Sequence, residues 1–492
     1  MRAVLVLAAV LLAAGPAVSE TDPPDPTRLG RLALEAERLE EASEHLEAAV
    51  AEGLPGVYLA WQLLGRLRLE QGRPEEALRC FDEALARAPR FAPARLGRAR
   101  AALWLGRLDD AKRALDALGR GDELVQLLQR IRDAEASREL WDALSGYHQL
   151  LVWLGPVPSF QAGLARVAET MEAHDLARCA ARSALASASE DGELWYLLGA
   201  AEAGHGDADA ALAAYERAGV LGFDPARVQV RRGDLLFDRM RIGEALDAYR
   251  RAVELDPAAA EVIPRFALAA LTAEQTEMLR EILERHVAAH PDNLDTLYAL
   301  AVLSLRAGDL AAAERRFLRL ASAAPGHAEV HYNLGQLYLR QGRTAEGEAE
   351  LARFAELEEA AREDWERHNQ AHFRRLEAEQ ATSAGRPQEA VRLYLRNVTE
   401  GTASPEDQLA LAGAYLAAGD ARQAAEQYRG ILAASPYLPS ALEGLSAALE
   451  AAGGAAEAEA VRSRLELLRL EAWRGQLPVL DPEPERTMGP DR

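Results

Sequence analysis

An interval of about 34 residues recurs along the chain and limits the possible folds more than any other feature. Three prolines, Pro257, Pro291 and Pro325, follow one another at this interval. The same interval separates several pairs of glycine, alanine and tyrosine residues: Gly72/Gly106, Gly199/Gly233, Ala211/Ala245, Tyr215/Tyr249 and Tyr394/Tyr428. Periods of about 20 to 50 residues are typical of repeat architectures, in which each unit buries its apolar face against its neighbours. The sequence therefore predicts one long array of stacked units.

The segment from Tyr58 to Phe91 shows what one unit contains. With Tyr58 as position 1, small or apolar residues occupy positions 4, 7 and 8 and then positions 20, 24 and 27. Each set lies on one face of a helix with 3.6 residues per turn. Gly72 separates the two faces and suits a left-handed helix end, and Pro89 ends the second helix. We predict a helix hairpin with one apolar edge on each helix.

This pattern has small residues at positions 8, 20 and 27, large residues at 4, 7, 11 and 24, and proline at 32, and it resembles the tetratricopeptide repeat family. Residues 58–91 and 226–259 match most clearly, although Arg68 stands at position 11 of the first unit. Units begin near residues 24, 58, 92, 158, 192, 226, 260, 294, 328, 371, 405 and 439. The resemblance implies an all-α fold, a right-handed superhelical solenoid of stacked helix hairpins, with no cofactor.

Departures from the period divide the chain. The predicted segments are a signal peptide (1–19), a linker (20–26), an N-terminal array (27–125), a degenerate helical hairpin (126–157), a central array (158–361), an insertion (362–370), a C-terminal array (371–472) and a disordered tail (473–492). The insertion lies in a stretch without proline or glycine from Leu351 to Gln380, so we predict one long helix there. In the degenerate hairpin, Trp141, Tyr147 and Trp153 either fill a poorly matched junction, which we favour, or form an exposed platform.

The segment 1–19 resembles a secretory signal. Arg2 precedes an apolar run from Ala3 to Ala14, and Ala17 and Ser19 supply small residues before an expected cut after Ser19. The run is shorter than the roughly 20 apolar residues that cross a bilayer. We predict an exported chain, periplasmic or secreted, with no integral membrane span in its mature form. An uncleaved membrane anchor is the alternative.

The composition excludes several kinds of chemistry. Lysine and arginine number 56 against 78 acidic residues, and the resulting charge of −22 argues against nucleic-acid binding. The chain has a single lysine, Lys112, which lies in no Schiff-base, P-loop or kinase motif. Cys80 and Cys179 are predicted to be two separate buried thiols. We predict no catalytic residues and a protein that is not an enzyme.

Three pairs of histidines are spaced four residues apart: His286/His290, His327/His331 and His368/His372. Two histidines at this spacing share one helical face and could bind zinc. None of the pairs belongs to an H-E-x-x-H motif, and the sequence supplies no obvious third ligand. We therefore predict no metal site. A metal-binding or enzymatic envelope protein that uses these pairs remains an alternative.

The resemblance also implies a binding surface, because the first helix of each unit lines a concave groove in the family. Carried over to units 294–327 and 328–361, the groove positions hold Tyr298, Arg306, Tyr332, Asn333, Gln336 and Arg340. Asn333 matches an asparagine that binds peptide backbones in the family. Rigid aromatic, amide and guanidinium groups suit an extended peptide or an acidic terminus, although the lysines that clamp a carboxylate in some family members have no counterpart here. Ordinary surface composition at these six positions is the alternative.

A protein of this kind works by binding. The bias towards alanine, arginine, leucine and glutamate is typical of a GC-rich, bacterial genome. We predict a non-enzymatic scaffold or adaptor in the bacterial cell envelope, which binds a protein or peptide partner through its concave surface. A self-assembling structural array is a further alternative. The partner's identity and the oligomeric state stay open.

Overall fold

The computed structural model of the chain describes residues 26–35, 38–53, 56–256, 266, 277–473 and 477. Over these residues the chain is helical and has no strand, so the predicted all-α class is confirmed. The helices up to Thr170 are Pro26–Glu35, Leu39–Glu52, Val57–Glu70, Pro74–Arg87, Ala92–Trp104, Leu108–Asp116, Gly121–Ser137, Leu140–Leu154 and Pro158–Thr170. The predicted signal peptide lies outside the described residues, as do most of the predicted linker and tail.

The helices that follow continue the hairpin pattern. They are His174–Leu185, Gly192–His205, Ala208–Val220, Pro225–Asp238, Ile242–Leu255, Glu277–Ala289, Leu294–Arg306, Leu310–Ala323, Ala328–Arg340, Thr344–Ser383, Pro387–Thr399, Pro405–Ala417, Ala421–Ala434, Pro439–Ala451 and Ala455–Leu468, with a 3₁₀ turn at Leu470–Trp473. Two compact units contain them: unit 1 comprises the residues up to Asp133 together with Gln149–Ser159, and unit 2 comprises Ala134–His148 and the residues from Phe160 onwards.

In unit 1, one aromatic ring joins two successive hairpins. Phe81 is 1% exposed and packs between two glycines. A Cβ atom at Gly65, in the same hairpin, would lie 2.8 Å from Phe81 Cε1, and one at Gly97, in the next hairpin, would lie 2.3 Å from that atom. Only glycine leaves room for the ring at both places. Small residues at these positions therefore allow both the hairpin and its stacking.

Arg68 stands where the repeat pattern calls for a large apolar residue. Its side chain is only 13% exposed, and its guanidinium pairs with Glu47 at 2.5 Å and with Glu76 at 3.2 Å. A charge removed from water is tolerated when it is paired in this way, while its aliphatic stem packs like an apolar side chain. The exception in the pattern is thus compensated by two carboxylates on the neighbouring helices.

Unit 2 repeats a glycine–tyrosine contact at intervals of one period. A Cβ atom at Gly199 would lie 2.6 Å from the Tyr215 ring, and one at Gly233 would lie 2.5 Å from the Tyr249 ring. Tyr215 and Tyr249 are 3% and 1% exposed. The glycine lets the two helices of a hairpin approach, and the tyrosine ring fills the space that this approach leaves. The recurrence of both residues at the repeat period is therefore a packing requirement.

The first interruption of the period was predicted at residues 126–157, and its part in unit 2, residues 134–148, is tightly packed. Tyr147 is 7% exposed, and its hydroxyl donates to Glu135 Oε1 at 2.9 Å. Trp141 packs with Tyr437 at a centroid distance of 5.5 Å. His148 meets the ring of Trp473 edge-on at 4.9 Å, and Trp473 is fully buried. Of the three aromatic residues singled out from the sequence, Trp141 and Tyr147 thus fill a junction, which includes the last repeat described. Trp153 lies in unit 1 and is half-buried.

Two residues that we assign to the tail, Trp473 and Leu477, are fully buried. The Trp473 indole N–H donates to the Leu467 carbonyl at 2.9 Å, which satisfies its one polar atom. The chain is thus packed beyond residue 472, where the repeat pattern predicts that order ends.

The second interruption is a helix of 40 residues, Thr344–Ser383, which contains the insertion 362–370. Its first part packs on Ala328–Arg340, where a Cβ at Gly335 would lie 2.7 Å from Leu351 Cγ. Its last part packs on Pro387–Thr399 through the buried residues Ala378 and Ala381. Between them, residues 358–370 are exposed apart from the half-buried Asn369. One helix therefore forms part of two hairpins, and its middle turns are exposed.

Cys80 and Cys179 are both free and buried, in unit 1 and unit 2 respectively, as the sequence predicts. Burial raises the pKa of Cys80 to about 11, so this thiol is protonated and unreactive at neutral pH.

None of the helices within the described ranges is long and apolar enough to span a membrane.

Candidate partner-binding site

Two helices of unit 2 carry the six predicted groove residues. Leu294–Arg306 begins at Asn293, whose side chain accepts from the Thr296 backbone N–H at 3.0 Å and so caps the helix. Ala328–Arg340 is the corresponding helix of the next hairpin, one period later. Each of these is the first helix of its hairpin. Buried leucines on both helices fix the positions of the exposed residues: Leu297, Leu300, Leu334 and Leu337.

Tyr298 and Asn333, one from each helix, are brought together. Asn333 Nδ2 donates to the Tyr298 hydroxyl at 3.3 Å and to the Glu329 carbonyl at 2.7 Å. Both amide hydrogens of Asn333 are used within the protein, which leaves its carbonyl oxygen to accept from a ligand. The Tyr298 oxygen accepts from Asn333 and keeps its own hydrogen to donate. The pair therefore presents one acceptor and one donor side by side.

The protonation state of Tyr298 follows from its surroundings. Burial, with a smaller contribution from the Glu329 carboxylate, raises the pKa of the Tyr298 hydroxyl. A raised pKa keeps the phenol neutral through the physiological range, so it can donate a hydrogen bond. The Tyr298 ring packs against the ring of His327, at a centroid distance of 5.0 Å, and against the ring of Phe317 at 6.3 Å.

The other four predicted residues do not join this pair. Tyr332 is 44% exposed and packs on Phe354 of the long helix, at a centroid distance of 5.3 Å. Gln336 is half-buried, one turn further along the same helix. Arg306 and Arg340 are the exposed last residues of their two helices, one period apart. The predicted set thus separates into a Tyr298–Asn333 pair and residues spread along the two helices.

His327 also belongs to this site, because its ring stacks on Tyr298. The sequence pattern indicates His327 only as one member of a histidine pair, so its place beside the tyrosine was missed. The only signal was its position immediately before helix Ala328–Arg340, from which its ring reaches Tyr298 of the preceding hairpin.

Unit 1 contains a small cavity that sequence reasoning also missed. It has a volume of about 160 Å³ and is lined by Gln62, Arg66, Leu69, Phe81, Leu96, Gly97, Arg100 and Leu154. Arg66 and Arg100 occupy the same position in successive units, one period apart, which is the signal that could have found them. Arg100 Nε donates to the Pro156 carbonyl at 2.9 Å, and burial lowers the pKa of Arg100 to about 10. Arg66 pairs with Glu70 at 2.9 Å, so this cavity is partly neutralised.

The histidine pairs have partners within the protein. His331 Nδ1 lies 2.7 Å from Glu350 Oε2, and His368 Nδ1 lies 2.9 Å from the Asp364 carbonyl. His286 and His290 stack with their centroids 4.7 Å apart. Across the part of the chain that the structure describes, no group of three or more His, Cys, Asp and Glu side chains is placed to hold a metal ion.

Comparison with known proteins identifies the repeats. Profiles of the tetratricopeptide repeat match residues 27–78, 68–130 and 304–363. The last of these segments includes Arg306 and the four candidate residues of helix Ala328–Arg340. These segments therefore match tetratricopeptide repeats, which confirms the family resemblance drawn from the sequence. No curated protein sequence matches the chain significantly.

Several solved structures are similar to parts of the chain. One is described as the crystal structure of YrrB, a tetratricopeptide-repeat protein with an unusual peptide-binding site. It is 19% identical, covers 36% of this chain and 91% of its own, and has a TM-score of 0.34. A crystal structure of MamA is 20% identical over 34% of this chain and 97% of its own, with a TM-score of 0.32. MamA from Desulfovibrio magneticus RS-1 is 17% identical over 34% of this chain and 96% of its own, with a TM-score of 0.32. At these identities the similarity is one of fold alone.

Proposed function

We propose that this protein is a non-enzymatic scaffold or adaptor of the bacterial cell envelope, which binds an extended protein or peptide partner across helices Leu294–Arg306 and Ala328–Arg340. The observation that carries the proposal is the hydrogen-bonded pair of Tyr298 and Asn333 on successive first helices. Stacked helix hairpins hold such residues in a continuous surface that one partner can contact over several repeats.

The chemistry of the pair suits a peptide backbone. A peptide group offers one N–H donor and one carbonyl acceptor. The Asn333 carbonyl oxygen can accept from the first, and the Tyr298 hydroxyl can donate to the second. Because neither contact involves the partner's side chains, this pair recognises an extended backbone, whereas Tyr332, Gln336 and the arginines at the helix ends supply contacts to side chains.

The envelope location rests on the N-terminal sequence. A charged start, a short apolar run and small residues before Ser19 favour export, with periplasmic or secreted protein as the product. An exported scaffold of this kind would hold a partner in place outside the cytoplasm.

Site-directed photo-crosslinking tests the proposed surface. A photoreactive phenylalanine analogue replaces Tyr332, which is 44% exposed, and in a matched control replaces Leu318, which is 43% exposed on helix Leu310–Ala323. We expect a defined crosslinked partner from position 332 in intact cells and none from position 318. Adding Asn333→Leu to the first variant removes the backbone acceptor and should abolish the crosslink.

Two results would contradict the proposal. Equal crosslinking from positions 332 and 318 would mean that neither helix face is selective. A crosslink at 332 that survives Asn333→Leu unchanged would show that the Tyr298–Asn333 pair does not bind the partner. Fractionation of the same cells tests the location, because a cytoplasmic product of full mass contradicts export.

A further inference from the structure

The small cavity of unit 1 has a positively charged lining, although the whole chain has a charge of −22. Gln62 and Arg66 lie one turn apart on helix Val57–Glu70, and Arg100 follows Arg66 by one period on helix Ala92–Trp104. Among the residues that line the cavity, two are arginines and none is acidic. A cavity with this lining attracts an anion.

The guanidinium of Arg100 has unused hydrogen-bond donors. Within the described ranges the Pro156 carbonyl, at 2.9 Å from Nε, is its one hydrogen-bond partner, and no carboxylate pairs with it. Glu70 attracts the charge of Arg100, but the carboxylate of Glu70 is bonded to Arg66 Nε at 2.9 Å. Because a guanidinium withdrawn from water is costly without a paired anion, Arg100 gains from a ligand that supplies one.

Two other donors line the same cavity. Arg66 uses Nε for Glu70, and both of its Nη atoms remain available in the part of the chain that the structure describes. The Gln62 amide likewise has no partner there. Guanidinium and amide N–H groups that converge on one space match the oxygens of a carboxylate, which an arginine binds through two parallel hydrogen bonds.

The turn after the first interruption of the period builds one wall of the cavity. Leu154 lines it, and Pro156 holds Arg100 in place. Between them, Gly155 has a φ of 78°, and a Cβ atom there would lie 3.2 Å from Arg100 Nη1. The guanidinium and this turn thus fit closely together. Arg66, one period earlier, is exposed, so the repeat alone does not produce this site.

The rest of the lining is apolar and limits the size of the ligand. Leu69 and Phe81 are each 1% exposed, and Leu96 and Leu154 complete the apolar walls. The cavity volume is about 160 Å³. Since an apolar cavity of about 150 Å³ holds one benzene molecule, this cavity suits a group of about seven heavy atoms. An inorganic anion would leave the apolar walls without contacts.

We propose that this cavity binds a carboxylate that carries a short, branched apolar group. Arg100 and Arg66 bind the carboxylate, and the leucines and Phe81 contact the apolar group. The last residue of a polypeptide and a free small acid both have this chemistry. The site lies in unit 1, apart from the helices that carry Tyr298 and Asn333, so the proposal does not depend on the proposed function.

Ligand-observed NMR titration of the full chain tests the chemistry, with 3-methylbutanoate as the probe. We expect one binding site per chain. The matched amide, 3-methylbutanamide, has the same shape without the charge, and acetate has the charge without the apolar group. Each should bind at least about tenfold more weakly than the probe, because each lacks one of the two kinds of contact.

Substitutions locate the site. Arg100→Gln and Arg66→Gln should each raise the dissociation constant of 3-methylbutanoate at least about tenfold, because each removes a charged donor. Arg98→Gln is the matched control on the same helix, since Arg98 pairs with Asp82 at 2.6 Å and does not line the cavity. Leu96→Trp fills the cavity, keeps both guanidiniums and should abolish binding. Circular dichroism should be the same for all four variants.

A peptide distinguishes the two sources of the carboxylate. Acetyl-tetraalanyl-leucine is compared with its C-terminal amide. If the peptide acid binds at least as tightly as 3-methylbutanoate and its amide does not bind, the ligand is the C-terminus of a polypeptide. If 3-methylbutanoate binds and the peptide does not, the ligand is a small acid. Either result supports a carboxylate site.

Three outcomes would overturn the proposal. The first is that neither 3-methylbutanoate nor the peptide binds up to its solubility limit. The second is equal binding of 3-methylbutanoate and its amide, which would mean that the guanidiniums do not recognise the charge. The third is that Arg98→Gln weakens binding as much as Arg100→Gln while Leu96→Trp leaves it unchanged, because the effect would then reflect net charge and not the cavity.

Discussion

The repeat period is interrupted twice, and the two interruptions differ in what covers their aromatic residues. At residues 134–148, Tyr147 is 7% exposed and Trp141 packs on Tyr437. In the long helix, Trp365 is 65% exposed. Both segments break the repeat pattern and both contain tryptophan, but one forms part of the core and the other faces solvent.

The difference shows that a break in a repeat array has two structural solutions. In the degenerate hairpin the aromatic residues find partners within the chain: Tyr147 bonds to Glu135 of the paired helix, and Trp141 packs on Tyr437 of a distant repeat. A helix that continues through the break brings no second helix, and its middle turns are left uncovered. Aromatic residues in the first case stabilise the chain, whereas those in the second are available for association. Substitutions in each of the two segments test this contrast.

The largest effect is expected for Trp473→Ala. Trp473 is fully buried against His148, and removing a buried tryptophan typically costs about 3–5 kcal/mol. We expect a loss of this size in the unfolding free energy of the C-terminal repeats, measured by hydrogen exchange of the helices after Ser404. Trp365→Ala is the matched control and should change the same exchange by less than about 0.5 kcal/mol. A similar loss in both variants would contradict the contrast.

Ala360→Pro should cost about 3 kcal/mol of helix stability, because proline removes a hydrogen bond and clashes with the preceding turn. The loss should stay within these exposed turns, since among the described residues no other helix covers residues 358–370. Hydrogen exchange should show lost protection there and unchanged protection in helix Leu294–Arg306. Global unfolding of the chain would instead mean that the two packed ends of the helix depend on its continuity.

Gly163→Ala tests how tightly the first interruption is filled. A Cβ atom at residue 163 would lie 2.1 Å from the Tyr147 hydroxyl oxygen. Overpacking of this kind typically costs about 1–3 kcal/mol, and denaturant unfolding should show it. Gly243→Ala is the control, because nothing lies within 4 Å of a Cβ there, and it should be neutral or stabilising by up to about 1 kcal/mol. If Gly163→Ala behaves like the control, the junction is loose.

The smallest effect is expected for the ion pair between Glu400 and Arg374, which lies in the last part of the long helix. Arg374 Nη2 lies 2.6 Å from Glu400, and hydrogen bonds from Arg374 and Arg396 lower the pKa of Glu400 to about 2. A lowered pKa means that the carboxylate stabilises the fold above about pH 4.5 and loses this contribution as the pH falls towards 2. Carboxyl NMR titration should find this value, and Glu400→Gln should flatten the acid limb of stability. A pKa near 4.5 would show that the pairs do not persist in solution.

Much of the fold could be predicted from the sequence. The positions of Gly65, Ala77 and Phe81 within one unit indicate a hairpin, and the structure has helices Val57–Glu70 and Pro74–Arg87 there. Such patterns can be recognised in the sequence because a repeat contacts mainly its immediate neighbours. The residues that determine its fold therefore lie within about two periods of the sequence. The stretch without proline or glycine likewise indicated a long helix, whose observed bounds extend beyond it at both ends.

The candidate site was predictable only in part. Family positions indicated Tyr298 and Asn333 separately, and their separation of 35 residues in sequence does not reveal that they share a hydrogen bond. His327 was missed because its role depends on the ring beside it. The same six positions also included Tyr332, and the sequence did not reveal that its ring packs on Phe354 of the long helix.

The sequence by itself determined the repeat, the all-helical class and the places where the repeat fails, because all of these depend on residues close together in the chain. Only the tertiary structure decided whether the aromatic residues at each interruption of the repeat are buried or exposed. His148 Nε2 lies 3.2 Å from the Ala472 carbonyl, and 324 residues separate them in sequence. A local sequence pattern cannot indicate a contact between residues so far apart, because the distance between them depends on how the intervening hairpins pack. The burial of Trp473 and the exposure of Trp365 were therefore decided by packing.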